Sequence, residues 1–298
     1  MNFNEKLRQS AKETGSIVCM GLDPVMAYIP EIYPRAKFRI PAFFEKIFQE
    51  MKDQDVLPGA FKPNQGFYIV HDLPRRQMFD GSIALASVMD MLEDMFPGIP
   101  VILDYKRGDI AKSSANYAAE GFEAWKADAV TVAPYMGTDS VMPFAEYCND
   151  EQGKGVYVLN RTSNPGAVDF QRLQTGDGSL NMAVAKKIRD WAEENPGIGA
   201  VVGATSPAEL EELAFIYTNR DHEIPLLIPG VGGQGGKVDE VVDKLKKTNY
   251  PLELARINSS SGLSHPWAKK KQTAPDDFAN VCVEKLYHLN EKIDYKST

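Results

Sequence analysis

Eight short apolar runs punctuate the chain, beginning at Ile17, Ala60, Val101, Ala129, Val156, Ile198, Leu226 and Leu252, at intervals of 26–43 residues. Most are followed by a helical pattern. Phe43, Phe44, Ile47, Phe48 and Met51 fall at three- and four-residue spacing within Pro41–Lys52, and Gly81–Met95 carries a similar stripe. After the sixth run, Ser206 stands at an N-cap position, Pro207 at the first helical position and Glu209 three residues past the cap. Alternating strands and helices with nearly continuous apolar strands predict a parallel sheet covered on both faces. Eight such units predict an α/β fold of the (β/α)8 TIM-barrel type. It would form a single domain over residues 1–298, with the amphipathic N-terminus as a helical extension. The competing open, doubly wound sheet requires a Gly-x-Gly-x-x-Gly after its first strand. Gly21-Leu-Asp-Pro does not provide it.

The ends of the runs matter more than the runs. They read Asp23-Pro24, Lys62-Pro63-Asn64, Asp104-Tyr-Lys106, Arg161-Thr162-Ser163, Gly203-Ala-Thr205, Pro229-Gly230-Val-Gly and Asn258-Ser259-Ser260-Ser261-Gly262. In a parallel barrel all these ends share one rim, the rim on which such barrels carry their active sites.

Composition narrows the function classes. The chain of 298 residues is 43% hydrophobic and 25% charged, with a net charge of −8, which argues against a nucleic-acid-binding surface. The short basic run Lys269–Lys271 reads as a solvated loop. Three well-separated cysteines (Cys19, Cys148, Cys282) without CxxC spacing suggest reduced thiols and a cytoplasmic protein. No stretch has the length of a membrane span, and the N-terminus lacks the apolar core of a signal peptide. The four histidines show no ligand spacing, so no metal site is expected and the histidines read as surface or packing residues.

The densest chemistry lies in Val101–Ile110. Alternation in a strand places Asp104 and Lys106 on one face. With Lys62 and Asp109 they would form an array of alternating charges that keeps Lys106 protonated and fixed in place. Such a lysine can stabilise a developing carbanion and then protonate it. A salt-bridge network at a solvated rim is the plainer account of any one pair. Gly230–Gly236, with Gln234, offers backbone N–H groups where a loop enters a helix, which suits a phosphate; a merely flexible loop is the alternative.

Asp104-x-Lys106-x-x-Asp109-Ile110 resembles the signature of the orotidine 5′-phosphate decarboxylase family, and the longer Asp-x-Lys-Arg-Gly-Asp-Ile resembles its second bacterial subfamily. Five further blocks agree in order: Gly21-Leu-Asp23-Pro24, Phe61-Lys62-Pro63-Asn64, Arg161-Thr-Ser-Asn-Pro-Gly-Ala167, Val201-Val-Gly-Ala-Thr205 and Pro229-Gly-Val-Gly-Gly-Gln234-Gly235. The resemblance implies a cofactor-free homodimer acting on orotidine 5′-monophosphate in UMP synthesis. Lys62, Asp104 and Lys106 would come from one subunit and Asp109 from its neighbour. Asp23 would hold ribose hydroxyls and Ser163 would face the pyrimidine. Ile110 and Ser113 would also touch substrate, Ser113 in the place of a threonine that reaches across the dimer. Pro229, Gly230, Gln234, Gly235 and Ser261 would surround the phosphate, with Gln234 closing over it.

Two positions depart from the family pattern. Ser261 stands where a phosphate-binding arginine is usual, with Arg256 or Lys269–Lys271 as candidate substitutes. Ala111 stands where glycine is usual. The rival expectations are a Mg2+-dependent sugar-phosphate enzyme of the same superfamily, such as a hexulose-phosphate synthase, and a barrel that binds a nucleotide phosphate without catalysis. The first of these looks to have a metal-binding glutamate in the place of Lys62.

Overall fold

The computed structural model describes residues 1–176, 178–218, 223–232 and 235–295. Eight parallel strands follow the eight apolar runs: β1 (Val18–Leu22), β2 (Ala60–Pro63), β3 (Ile102–Arg107), β4 (Ala129–Val132), β5 (Gly155–Arg161), β6 (Ile198–Val202), β7 (Leu226–Ile228) and β8 (Ala255–Ser259). They lie in the order 2-1-8-7-6-5-4-3. Bridges Phe61↔Val101 and Asn64↔Asp104 join β2 to β3, bringing the two ends of the sheet together into a barrel. Two antiparallel hairpins, Asp72–Phe79 and Gln174–Ser179, decorate the loops after β2 and β5.

Around the barrel lie α1 (Phe3–Thr14), α2 (Ala36–Gln54), α3 (Asp80–Met95), α4 (Ala111–Ala119), α5 (Thr138–Ala145), α6 (Leu180–Glu194), α7 (Pro207–Tyr217), α8 (Val238–Lys247), α9 (Ser261–Ser264) and α10 (Phe278–Ile293). The stripe Phe43, Phe44, Ile47, Phe48, Met51 is fully buried on α2. That helix begins five residues before Pro41, which lies past the first turn and so forfeits one ladder bond, to the Lys37 carbonyl. At α7 the predicted start is right but the cap is not made: Ser206 forms no capping bond. Glu209 is drawn instead to Arg161 and Arg172, which pin the loop after β5 against α7. These hydrogen bonds outweigh burial and lower the Glu209 carboxyl to about 2.

The eighth strand begins three residues later than its apolar run, because Pro251 opens a 3-10 turn over Leu252–Leu254. Arg256 follows, fully buried, and it does not reach the phosphate rim. Its guanidinium donates to the carbonyls of Gly59, Glu253, Ala255 and Leu7, tying α1 and the entry to β2 to the lower end of β8. Truncation would strand those carbonyls, so Arg256→Leu should lower the unfolding free energy by about 3–5 kcal/mol. A urea titration reads this as a fall in midpoint at constant slope.

Candidate active site

A cavity of about 550 Å³ opens at the C-terminal ends of the strands. Asp23, Lys62, Asp104, Lys106, Ser163, Pro229, Gly230 and Ser261 all line it. With Thr131 of β4 and Val201 of β6, all eight strands contribute to it.

Lys62 closes β2 with only 3% of its surface exposed, and its Nζ donates to Asp104 Oδ2 at 2.9 Å. Lys106 Nζ donates to the other carboxylate oxygen, Oδ1. Thr131 Oγ1 also donates to Oδ1, at 2.9 Å, and accepts the backbone N–H of Lys106 at 3.0 Å. One buried carboxylate therefore holds two ammonium groups. Burial opposes charge on Lys62, but Asp104 and Asp23 outweigh it and hold its pKa above the ordinary lysine value. Burial opposes charge on Asp104 too; Lys62 and Lys106 overcome that and hold the carboxyl below its usual range. Cys19 is the nearby thiol, and burial pushes it up to about 12, which leaves it no nucleophile.

The β3–β4 register shifts between Leu103 and Arg107. Within that bulge Lys106 takes a left-handed φ of 44°. For a lysine this conformation costs on the order of 1–3 kcal/mol and persists only where the surroundings hold it. Here both ends of the residue are held, the N–H by Thr131 and the ammonium by Asp104. Beside it, Arg107 bonds Gln65 Oε1 and Glu120 and lies over the rings of Tyr105 and Tyr117. These contacts brace the loop after β2 against the C-terminal end of α4. Lys106 itself keeps 47% of its side chain exposed toward the opening.

Asp109, Ile110 and Ser113 do not line the cavity of their own chain. The expected array of four charges is therefore an array of three within one chain. Asp109 Oδ1 accepts from Ile110 N at 2.8 Å, and Ile110 is 58% exposed. Ser113 sits partly exposed on α4.

At the opposite wall, Gly203 is packed so closely that a Cβ there would lie 2.9 Å from the Ser163 backbone. Ser163 O in turn accepts from Thr205 Oγ1. The loop after β7 turns through positive φ at Gly230, Gly232 and Gly235, and the pair Gly232 N→Gly236 O and Gly236 N→Gly230 O folds it back on itself. Gln234, expected over the phosphate, lies outside the described residues. Lys269–Lys271 form an exposed turn and do not line the cavity.

Thr131, Asn258 and His265 line the cavity without having been marked as candidates, whereas Asp23 had been. Thr131 is a lone hydroxyl inside an apolar strand, the kind of position that pattern reading passes over. Asn258 and Asp23 each present an Oδ1 that is buried without a hydrogen-bond partner among the described residues, two acceptors suited to ligand hydroxyl or N–H groups. His265, expected as a surface or packing residue, is 2% exposed and forms part of the cavity wall.

The family model described as "Orotidine 5'-phosphate decarboxylase / HUMPS family" matches residues 66–250. Orotidine 5'-phosphate decarboxylase from Cupriavidus metallidurans is 40% identical over 242 residues, which is 81% of this chain and 82% of that one. The enzyme of the same name from Thermomicrobium roseum is 38% identical over 244 residues, with 81% and 80% covered. Among solved structures, OMP decarboxylase from Leishmania donovani superposes with a TM-score of 0.71 at 30% identity, covering 98% of this chain and 99% of its own. The three-charge array on an eight-stranded barrel and these similarities lead to one conclusion: the chain belongs to the orotidine 5′-phosphate decarboxylase / HUMPS family.

Proposed function

We propose that this chain decarboxylates orotidine 5′-monophosphate to UMP and CO2, with no cofactor, the last step of UMP synthesis. The observation that carries this reading is the Lys62–Asp104–Lys106 array, in which one lysine is buried and the other reaches toward the cavity opening. Loss of CO2 leaves the electron pair of the broken C–C bond on C6, where the pyrimidine π-system cannot delocalise it. The Lys106 ammonium stabilises that pair and then transfers its proton to C6, and solvent returns a proton to the amine. Asp104 keeps Lys106 charged and aimed before the event, while Lys62 balances the second carboxylate oxygen. Asp23 Oδ1 takes a ribose hydroxyl, and Ser163 faces the base. Pro229, Gly230, Gln234, Gly235 and Ser261 enclose the phosphate. Binding of the phosphate far from C6 supplies energy for closing the loops and holding this geometry.

The protein acts as a homodimer in which Asp109, with Ile110 and Ser113, completes the site of the neighbour. Support comes from apolar side chains left exposed on the consecutive loops after β2, β3 and β4: Phe67, Ile69, Val70, Ile110, Tyr135 and Met136. Strands β2, β3 and β4 are neighbours in the barrel, and the loop after the middle one carries Asp109. Cytoplasmic residence rests on three cysteines that are all buried and free. No helix among the described residues is long and apolar enough to cross a membrane.

The family also takes in metal-using relatives, but a charged, buried Lys62 at the end of β2 would repel a divalent cation there. A spectrophotometric assay with orotidine 5′-monophosphate, with and without chelator, tests the reading. Turnover insensitive to chelator is expected. No turnover overturns the decarboxylase reading, and loss of turnover with chelator favours the metal-dependent one.

A further inference from the structure

The cavity holds two lysines and two aspartates among its described lining residues, so its fixed charges cancel. Both lysines are spent on Asp104. A phosphomonoester adds about −1.5 to −2 at neutral pH. At the end of the cavity bounded by Gly230 and Ser261, after strands seven and eight, the described wall holds no permanent cation. It holds one group that can become one. His265 follows Ser261 by four residues as the C-cap of α9, its backbone N–H donating to Ser261 O at 3.2 Å, and both residues line the cavity.

The surroundings of the ring settle which nitrogen is available. Nδ1 lies 2.9 Å from Ser264 Oγ, and that hydroxyl donates its own proton to Ser260 O at 3.1 Å. Ser264 therefore accepts from Nδ1–H, and Nε2 is left with its lone pair and with no hydrogen-bond partner among the described residues. The ring stacks on Tyr28 at 6.0 Å and 13°, and Tyr28 is held in turn by Trp267 through its carbonyl. Cys282 of α10 backs Ser264, its thiol donating to the Ser264 carbonyl, and burial pushes that thiol up so that it stays neutral. Among the described residues the charged side chain acting on the ring is Asp23, just past the end of β1.

We propose that His265 is the cation of the phosphate end of this cavity, taking up a proton at Nε2 when the phosphoester binds and so filling the role left open by Ser261. This deepens the reading given above and rests on it for the identity of the ligand. In the free protein burial outweighs Asp23 and lowers the pKa of His265, so the ring is neutral near pH 7. An anion at Nε2 raises it. Affinity is then fullest below the free-state value and falls as pH rises through the bound-state value, tenfold for each unit by which binding raises it.

Dissociation constants for UMP across pH 5.5–8.5, in wild type and His265→Gln, read this directly, with uridine as the ligand lacking phosphate. The ratio of variant to wild-type Kd for UMP should be about tenfold at the acid end and shrink toward one at the alkaline end, for one unit of linkage. The ratio for uridine should stay flat. Adding Ser261→Arg to the His265→Gln variant should restore tight UMP binding without the pH dependence. If the single variant does not fold, calorimetry of wild type in two buffers of different ionisation heat counts the protons taken up with UMP. A UMP ratio that does not change with pH, or calorimetry showing no uptake beyond the titration of UMP itself, overturns the proposal. Absence of orotidine 5′-monophosphate turnover, with the UMP ratio as expected, would instead overturn the decarboxylase reading alone.

Discussion

Replacing Lys106 with alanine is expected to lower kcat by roughly 10⁴-fold or more. A positioned general acid contributes about 10²–10⁴-fold and removal of one preorganised charge about 10²–10³-fold, and Lys106 is assigned both roles. The fold should tolerate the change. Asp104 keeps Lys62 and Thr131 as partners, so no buried carboxylate is abandoned, and Lys106 is already half exposed. Lys106→Arg separates the two roles. It keeps a positive charge but holds its proton, since guanidinium titrates above pH 12 or so. Arginine is expected to recover UMP affinity but little turnover. Steady-state decarboxylation beside a Kd for UMP checks this, and an arginine variant with near-native turnover would remove Lys106 as the proton donor.

The second large effect is a gain. Lys62→Ala and Asp109→Ala are each expected to be nearly inactive alone, and mixing them under conditions that let subunits exchange should restore activity. In a hybrid dimer one site combines both substitutions and the other carries neither. With random exchange about a quarter of all sites are then intact, which sets the recovered activity. Asp109 outside its own cavity, next to exposed Ile110, is what motivates the test. Hybrid dimers that form, as shown by native mass spectrometry, yet recover no activity would place Asp109 in the site of its own chain.

Much of this was legible in the amino-acid sequence, because a parallel barrel writes a short apolar run for each strand and its chemistry at the run's end. The pairing of Asp104 with Lys106 on one face followed from strand alternation, and both side chains do meet. The left-handed turn at Lys106 was not visible, since it arises from a bulge against β4 that only the neighbouring strand defines. Thr131 escaped for the same reason: its hydroxyl has meaning only beside Asp104. Arg256 failed as a phosphate ligand because five strand residues span roughly 16 Å, placing it at the far end of β8 where α1 docks. His265 was passed over because nothing local marks a histidine as buried; its place comes from α9 folding back over the cavity. Asn2 and Glu5 form the reciprocal cap that starts α1, a four-residue pattern that the reading of an amphipathic N-terminus left unused.

The claim at the centre is that Lys106 protonates a C6 carbanion left by departing CO2. Single-site turnover of orotidine 5′-monophosphate in D2O, with CO2 and UMP quantified together and UMP examined by proton NMR, tests it most directly. The expected result is one CO2 per UMP, one deuterium placed at C6, and loss of both products in Lys106→Ala. UMP formed by Lys106→Ala at the wild-type rate, or substrate consumed without CO2, would contradict it.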